Sequence, residues 1–186
     1  MKILLIDNGT RTLARLRRLI PGREVVRRWN ADLSDHHRFD LIVLSGGSLF
    51  GLPSMKFERE ASMVQETRTP VIGICLGHQI IAHAFGGSVE HMAEREKGIE
   101  QVRVVKPHPI FAGKRSFDVY ETHTYAVKEA GACETLARTN HCIAAISHPE
   151  RPVFGFQFHP EYFTDKHFGD EVFLNVLRHW RLWQAA

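Results

Sequence analysis

Cysteine is scarce in this chain of 186 residues, with three in all, an odd number that cannot pair completely within it. A disulfide framework of the kind that staples small secreted domains is therefore not expected. No secretory leader is expected either, since Met1 runs straight into "KILLID" at 2–7, which is short and ends in an acid. No apolar run approaches the roughly 20 residues needed to cross a bilayer. Excess charge of one sign is also lacking. The net charge is +3 from 24 basic and 21 acidic residues, too little to argue for nucleic acid even with a pI near 8.9. Neither repeats nor Gly-, Ser- or Pro-rich linkers break the chain, so one domain over 1–186 is expected. What is present, 44% hydrophobic and 24% charged residues, is the ordinary balance of a globular protein with a substantial core. The chain reads as cytoplasmic and reduced.

Patterning along the chain changes half-way. Short apolar runs at 2–7, 23–29, 40–47 and 71–74 read as buried strands, and 12–20, 54–67 and 76–85 carry helical spacing between or after them. Strands alternating with helices point to βαβ units and a mostly parallel sheet. The second half has strand-like runs at 101–105, 117–123, 142–148 and 153–159 with few helices between, so hairpins are expected there. A last amphipathic helix is expected over 168–183, more suited to the core than to a membrane. The fold class is α/β: a doubly wound, mostly parallel, flavodoxin-like sheet flanked by helices, with antiparallel strands towards the end.

"VIGICLGHQI" at 71–80 places Cys75 where a strand gives way to a helix. In open parallel sheets ligands bind beyond the carboxyl ends of strands, which is where this thiol falls. Gly73 and Gly77 flank it in the pattern G-x-C-x-G, the cysteine form of a nucleophile elbow. The new helix points its amino end at the sulfur, which favours the reactive thiolate. A buried structural cysteine is the plain alternative. Cys133 and Cys142 have no such setting and are expected to be inert.

A thiolate needs a base, and the base an orienting group. "FGFQFHPEY" at 154–162 offers His159 at the end of an apolar strand and Glu161 two residues on. In extended backbone that spacing turns both side chains the same way, and Pro160 holds His159 extended. Spacing alone also fits a surface turn. The other histidines lack compact metal spacing, and no metal is expected. Arg11, Arg15, Arg17, Arg18, Arg23, Arg27 and Arg28 form a basic N-terminal cluster. It suits a solvated face or an acidic partner better than nucleic acid, because no stacking aromatics are interleaved.

"LIVLSGG", "PVIGICLGHQIIAHAFGG" and "VFGFQFHPE", in this order and separation, closely resemble class I glutamine amidotransferases over nearly the whole chain. Within that family the block "GICLGHQIIAHAFGG…REKG" looks most like the glutaminase part of GMP synthases. The resemblance implies Cys75 as nucleophile, His159 as base and Glu161 as its partner. It implies an oxyanion hole from the N–H groups of Gly47 and Leu76. It implies substrate contacts from Gly46, Gln79 and the segment Thr122, His123 and Thr124, with glutamine as substrate and no cofactor. Because the chain shows no ATP-binding or acceptor domain, the implied partner is a separate ATP-dependent synthase. Two departures bear on the substrate: "SGGSLFG" alters the loop after the oxyanion glycines, and Tyr125 stands where the family has aspartate. They leave open a stand-alone γ-glutamyl hydrolase or peptidase of the same fold. A non-catalytic regulatory relative is the third reading, and the complete Cys75–His159–Glu161 set speaks against it.

Overall fold

Buried β-branched and leucine residues dominate the first strand, β1 (Lys2–Asp7), whose Ile3 and Leu5 face one way and Leu4 and Ile6 the other. A strand apolar on both faces must be covered on both, and the computed structural model shows this over the residues it describes, 1–47, 57–162 and 165–184. The other strands are β2 (Arg23–Arg28), β3 (Leu41–Leu44), β4 (Val71–Ile74), β5 (Ser88–Val104), β6 (Ser116–Glu129), β7 (Glu134–Arg138), β8 (Ile143–Ser147) and β9 (Val153–Phe156). The helices are α1 (Leu13–Leu19), α2 (Glu58–Glu66), α3 (Leu76–Ala84) and α4 (Gly169–His179). Leu16 of α1 and Val172, Phe173, Val176 and Leu177 of α4 cover one face of the sheet. Ala61, Met63 and Val64 of α2 and Ile80, Ile81 and Ala82 of α3 cover the other.

The strands form one nine-stranded sheet in the order β2-β1-β3-β4-β9-β8-β7-β5-β6. Pairings from β2 through to β9 are parallel, and those from β9 through to β6 are antiparallel. This is the expected α/β class, with the change of direction falling at β9. Gly86, at φ 79°, turns the chain out of α3 in a conformation that suits glycine. Asp170 and Glu171 in the first turn of α4, and Arg178 and His179 in its last, match the helix dipole.

Two strands exceed expectation and one was not foreseen. Where the sequence suggested 101–105 and 117–123, the structure has a long antiparallel ribbon of β5 and β6, with a register irregularity between His91 and Glu96. The first half of β5 is charged and mostly exposed, so pairing, not burial, makes it a strand. β7 is short and escaped notice for the same lack of an apolar run. Of the helix expected at 54–67, the part from Glu58 onward is helical, and 54–56 lie outside the described residues.

Candidate active site

The chain bends sharply at Cys75. Its φ is 50° and ψ −101°, a conformation rarely taken by a residue with a side chain. The Cys75 N–H donates to Phe156 O at 2.7 Å, tying the elbow to β9, and its carbonyl accepts from the Gln79 N–H at 3.1 Å. The flanking glycines are required by contact. A Cβ on Gly73 would stand 2.4 Å from Gly77 O, and one on Gly77 would stand 2.4 Å from Leu44 O. Cys75 therefore caps α3 with its thiol at the carboxyl end of the sheet.

His159 lies just past β9 and donates its backbone N–H to Tyr120 O of β6 at 2.8 Å. Its Nδ1–H donates to Glu161 Oε1 at 2.9 Å, with both side chains buried. Nε2, the nitrogen left free by Glu161, is buried without a nitrogen or oxygen partner. Burial opposes the imidazolium, but the Cys75 thiolate and the Glu161 carboxylate outweigh it and hold the His159 pKa well above 6.5. Burial likewise opposes the Glu161 carboxylate, and the facing imidazolium keeps its pKa below 4.5 nonetheless. The structure thus brings Cys75 and the His159–Glu161 pair together at one pocket.

The loop glycines leave room for this group. A Cβ on Gly46 would reach within 2.9 Å of His159 Cε1. One on Gly47 would meet Asn8 O at 2.0 Å and Leu76 Cδ2 at 2.9 Å. The Ser45 hydroxyl accepts from the Asn8 N–H at 2.9 Å and donates to Gly46 O at 2.7 Å, fixing the start of that loop. The altered continuation, residues 48–51, lies outside the described residues.

A pocket of about 550 Å³ opens over the thiol. Gly47, Leu76, Gln79, Thr122, His123 and Thr124 line it, together with Cys75 and His159. Gly46 lies beneath, against the imidazole. Gln79 turns its amide nitrogen to Tyr125 O at 2.8 Å. His123 is buried and paired with Glu121 at 3.0 Å. Arg11, Arg95 and Lys97 also line the pocket, and among the described lining residues there is no carboxylate.

Sequence reasoning missed two neighbours of the group. Thr12 donates its hydroxyl to Glu161 Oε1 at 2.8 Å. Gln157 lies 3.7 Å from the Cys75 sulfur through Nε2 and accepts from Gln79 at 3.4 Å. A polar residue alternating with Phe154, Phe156 and Phe158 was a usable signal for Gln157; nothing local marked Thr12. His78, inside the conspicuous "GHQ", does not face the pocket. Burial pushes its pKa down to about 3, and the neutral ring donates to Ile143 O at 3.0 Å. A Cβ on Gly155 would stand 2.6 Å from His78 Nδ1, so that histidine packs α3 on the sheet. Burial pushes the Cys133 thiol up to about 12 and raises Cys142 as well.

The glutamine amidotransferase class-I family profile matches residues 4–179. The chain belongs to that family. This class-I amidotransferase is 35% identical over 144 residues to the glutamine-hydrolysing GMP synthase subunit of Pyrococcus abyssi, covering 74% of this chain and 73% of that one. The corresponding GMP synthase subunit of Methanocaldococcus jannaschii is 28% identical across 95% of this chain and 96% of its own. A crystal structure from Thermoplasma acidophilum, described as that of a GMP synthase subunit, shares the fold with a TM-score of 0.83. It is 27% identical and covers 98% of this chain and 96% of that one. A Thermotoga maritima glutamine amidotransferase, at 17% identity and a TM-score of 0.71, covers 97% of this chain and 82% of its own and shares the fold. Among the described residues of this amidotransferase, no helix is long and apolar enough to cross a membrane.

Proposed function

We propose that this amidotransferase is the glutaminase subunit of a GMP synthase-like system, hydrolysing the side-chain amide of glutamine and passing ammonia to a separate ATP-dependent synthase. The observation that carries the reading is the strained Cys75 elbow facing the buried His159–Glu161 pair. The Cys75 thiolate attacks the amide carbon, and the N–H groups of Gly47 and Leu76 stabilise the oxyanion that forms. His159 gives its proton to the departing nitrogen, which leaves as ammonia, and Cys75 is left as a glutamyl thioester. Water, deprotonated by His159, then releases glutamate. Glu161 keeps the imidazole oriented and its charge balanced. Gly46, Gln79 and the Thr122–His123–Thr124 segment hold the rest of glutamine. A thiol nucleophile of this kind suits the reducing cytoplasm.

Steady-state glutamine hydrolysis by the purified chain, alone and with ATP-dependent synthases, tests this. Turnover should be low alone, rise with the proper partner and vanish in Cys75→Ser. Full turnover without any partner would reject the subunit reading. A second reading, a γ-glutamyl hydrolase, draws on the basic lining with no carboxylate among the described residues and on Tyr125 in place of an acid. Preference for γ-glutamyl amides larger than glutamine would establish it instead.

A further inference from the structure

Beside the pocket, β6 carries a second cluster, which shares only His123 with the segment that holds substrate. Glu121 and His123, two residues apart on one strand, turn to the same side, and the imidazole Nε2 lies 3.0 Å from Glu121 Oε2. Cys142, in the turn between β7 and β8, joins them. One donor atom from each of the three lies within 4.8 Å of the other two, and all three residues are buried. Glu121 Oε1 and His123 Nδ1 are also buried and have no hydrogen-bond partner, and the Cys142 sulfur has the Thr139 hydroxyl at 3.3 Å. Further carboxylates crowd the spot: Glu96, 3.4 Å from His141, and Glu100, which feels both Glu96 and Glu121. Lys128, the cation close by, is turned to His141 O at 2.7 Å. A buried carboxylate with one oxygen unsatisfied and other carboxylates near it is destabilising unless a cation answers it.

We propose that Glu121, His123 and Cys142 form a three-ligand site for a divalent cation of the zinc type. Thiolate and imidazole together select zinc-like ions over magnesium or calcium. Tetrahedral zinc holds such donors roughly 3.3–3.7 Å apart. The pair at 3.0 Å and the outer limit of 4.8 Å bracket that range. The Cys142 thiol gives up its proton to solvent as the ion enters. Because His123 also lines the substrate pocket, the ion would pin Thr122 and Thr124 on either side of it. The site is independent of the glutaminase reading.

Cobalt titration of the full chain tests it, in a Cys75→Ala background that removes the other Cys–His–Glu group. One cobalt per chain should bind, with a near-ultraviolet thiolate-to-cobalt band that zinc displaces. Cys142→Ser should abolish the band, and Glu121→Gln should weaken binding about tenfold or more; circular dichroism verifies that each is folded. Absence of stoichiometric binding would leave Glu121–His123 as a plain buried ion pair and overturn the proposal. A band that survives Cys142→Ser, or affinity unmoved in Glu121→Gln, would overturn it as well.

Discussion

Thr12 and Glu161, separated by 149 positions in the chain, share a buried hydrogen bond of 2.8 Å. The Thr10 hydroxyl stands 2.9 Å behind Thr12, so Thr10 donates to Thr12 while Thr12 donates to the carboxylate. Glu161 Oε1 also accepts from His159, and two donors on one oxygen fix the plane of the carboxylate. Hydrogen bonds to charged groups contribute about 1.5–3 kcal/mol, and every 1.4 kcal/mol or so is a factor of about ten in rate. Thr12→Val should lower kcat for glutamine about tenfold with a smaller change in KM, and Thr12→Ser should restore it. An unchanged kcat in Thr12→Val would show that His159 alone orients Glu161.

The raised pKa of His159 predicts how the pH profile responds to its partner. His159 keeps its proton up to a pKa that the Glu161 charge helps to raise. Removing that charge lowers the pKa, so in Glu161→Gln the basic limb of kcat/KM should move to lower pH. Alkylation of Cys75 by a glutamine-like electrophile, followed from acid to alkaline pH, reads the same shift. A basic limb that stays in place would separate Glu161 from the charge balance.

Gly47 has no room for a methyl group, given the Asn8 carbonyl 2.0 Å from where a Cβ would stand. Under the proposed oxyanion role, Gly47→Ala swings the donating N–H out of line. Losing one oxyanion donor typically costs about 10²–10³ in kcat. That loss is the expected outcome in a glutaminase assay, with Cys75 still open to a small alkylating reagent.

Glu60 in α2 is fully buried, and burial raises its pKa from 4.5 to about 7. The folded state then binds its proton more tightly than the unfolded chain does. Stability from this group is complete below about pH 4.5 and declines as pH rises towards 7. Glu60→Gln should remove that decline, so denaturant midpoints of the two proteins should diverge as pH is raised. Parallel curves would count against it.

What the sequence revealed and what it hid divide by contact range. Cys75 with its glycines, and His159 with Glu161, are contiguous motifs whose chemistry is written in adjacent letters. The alternation of apolar runs and helical spacing was equally local, and it announced the parallel half of the sheet. Thr12, just before α1, became part of the site only because the fold brings it against the residues that follow β9. The Glu121–His123–Cys142 cluster needed β6 and the β7–β8 turn brought together in the fold, so metal spacing searched along the chain could not reveal it. The β5–β6 ribbon was under-read because its charged residues are held by pairing and bury little.

β9 is parallel to β4 on one side and antiparallel to β8 on the other. The thiol arrives with the early strands, while the imidazole and carboxylate arrive with the last one. Contacts over such separations slow folding, and the site is complete only once β9 and the residues after it are in place. Turnover is therefore a reporter of finished folding: a refolding chain should regain helix and sheet signals before it regains the capacity to process substrate. Newly synthesised chains would be silent until residues beyond β9 have emerged, which keeps a reactive thiol uncoupled from its base until the protein is whole.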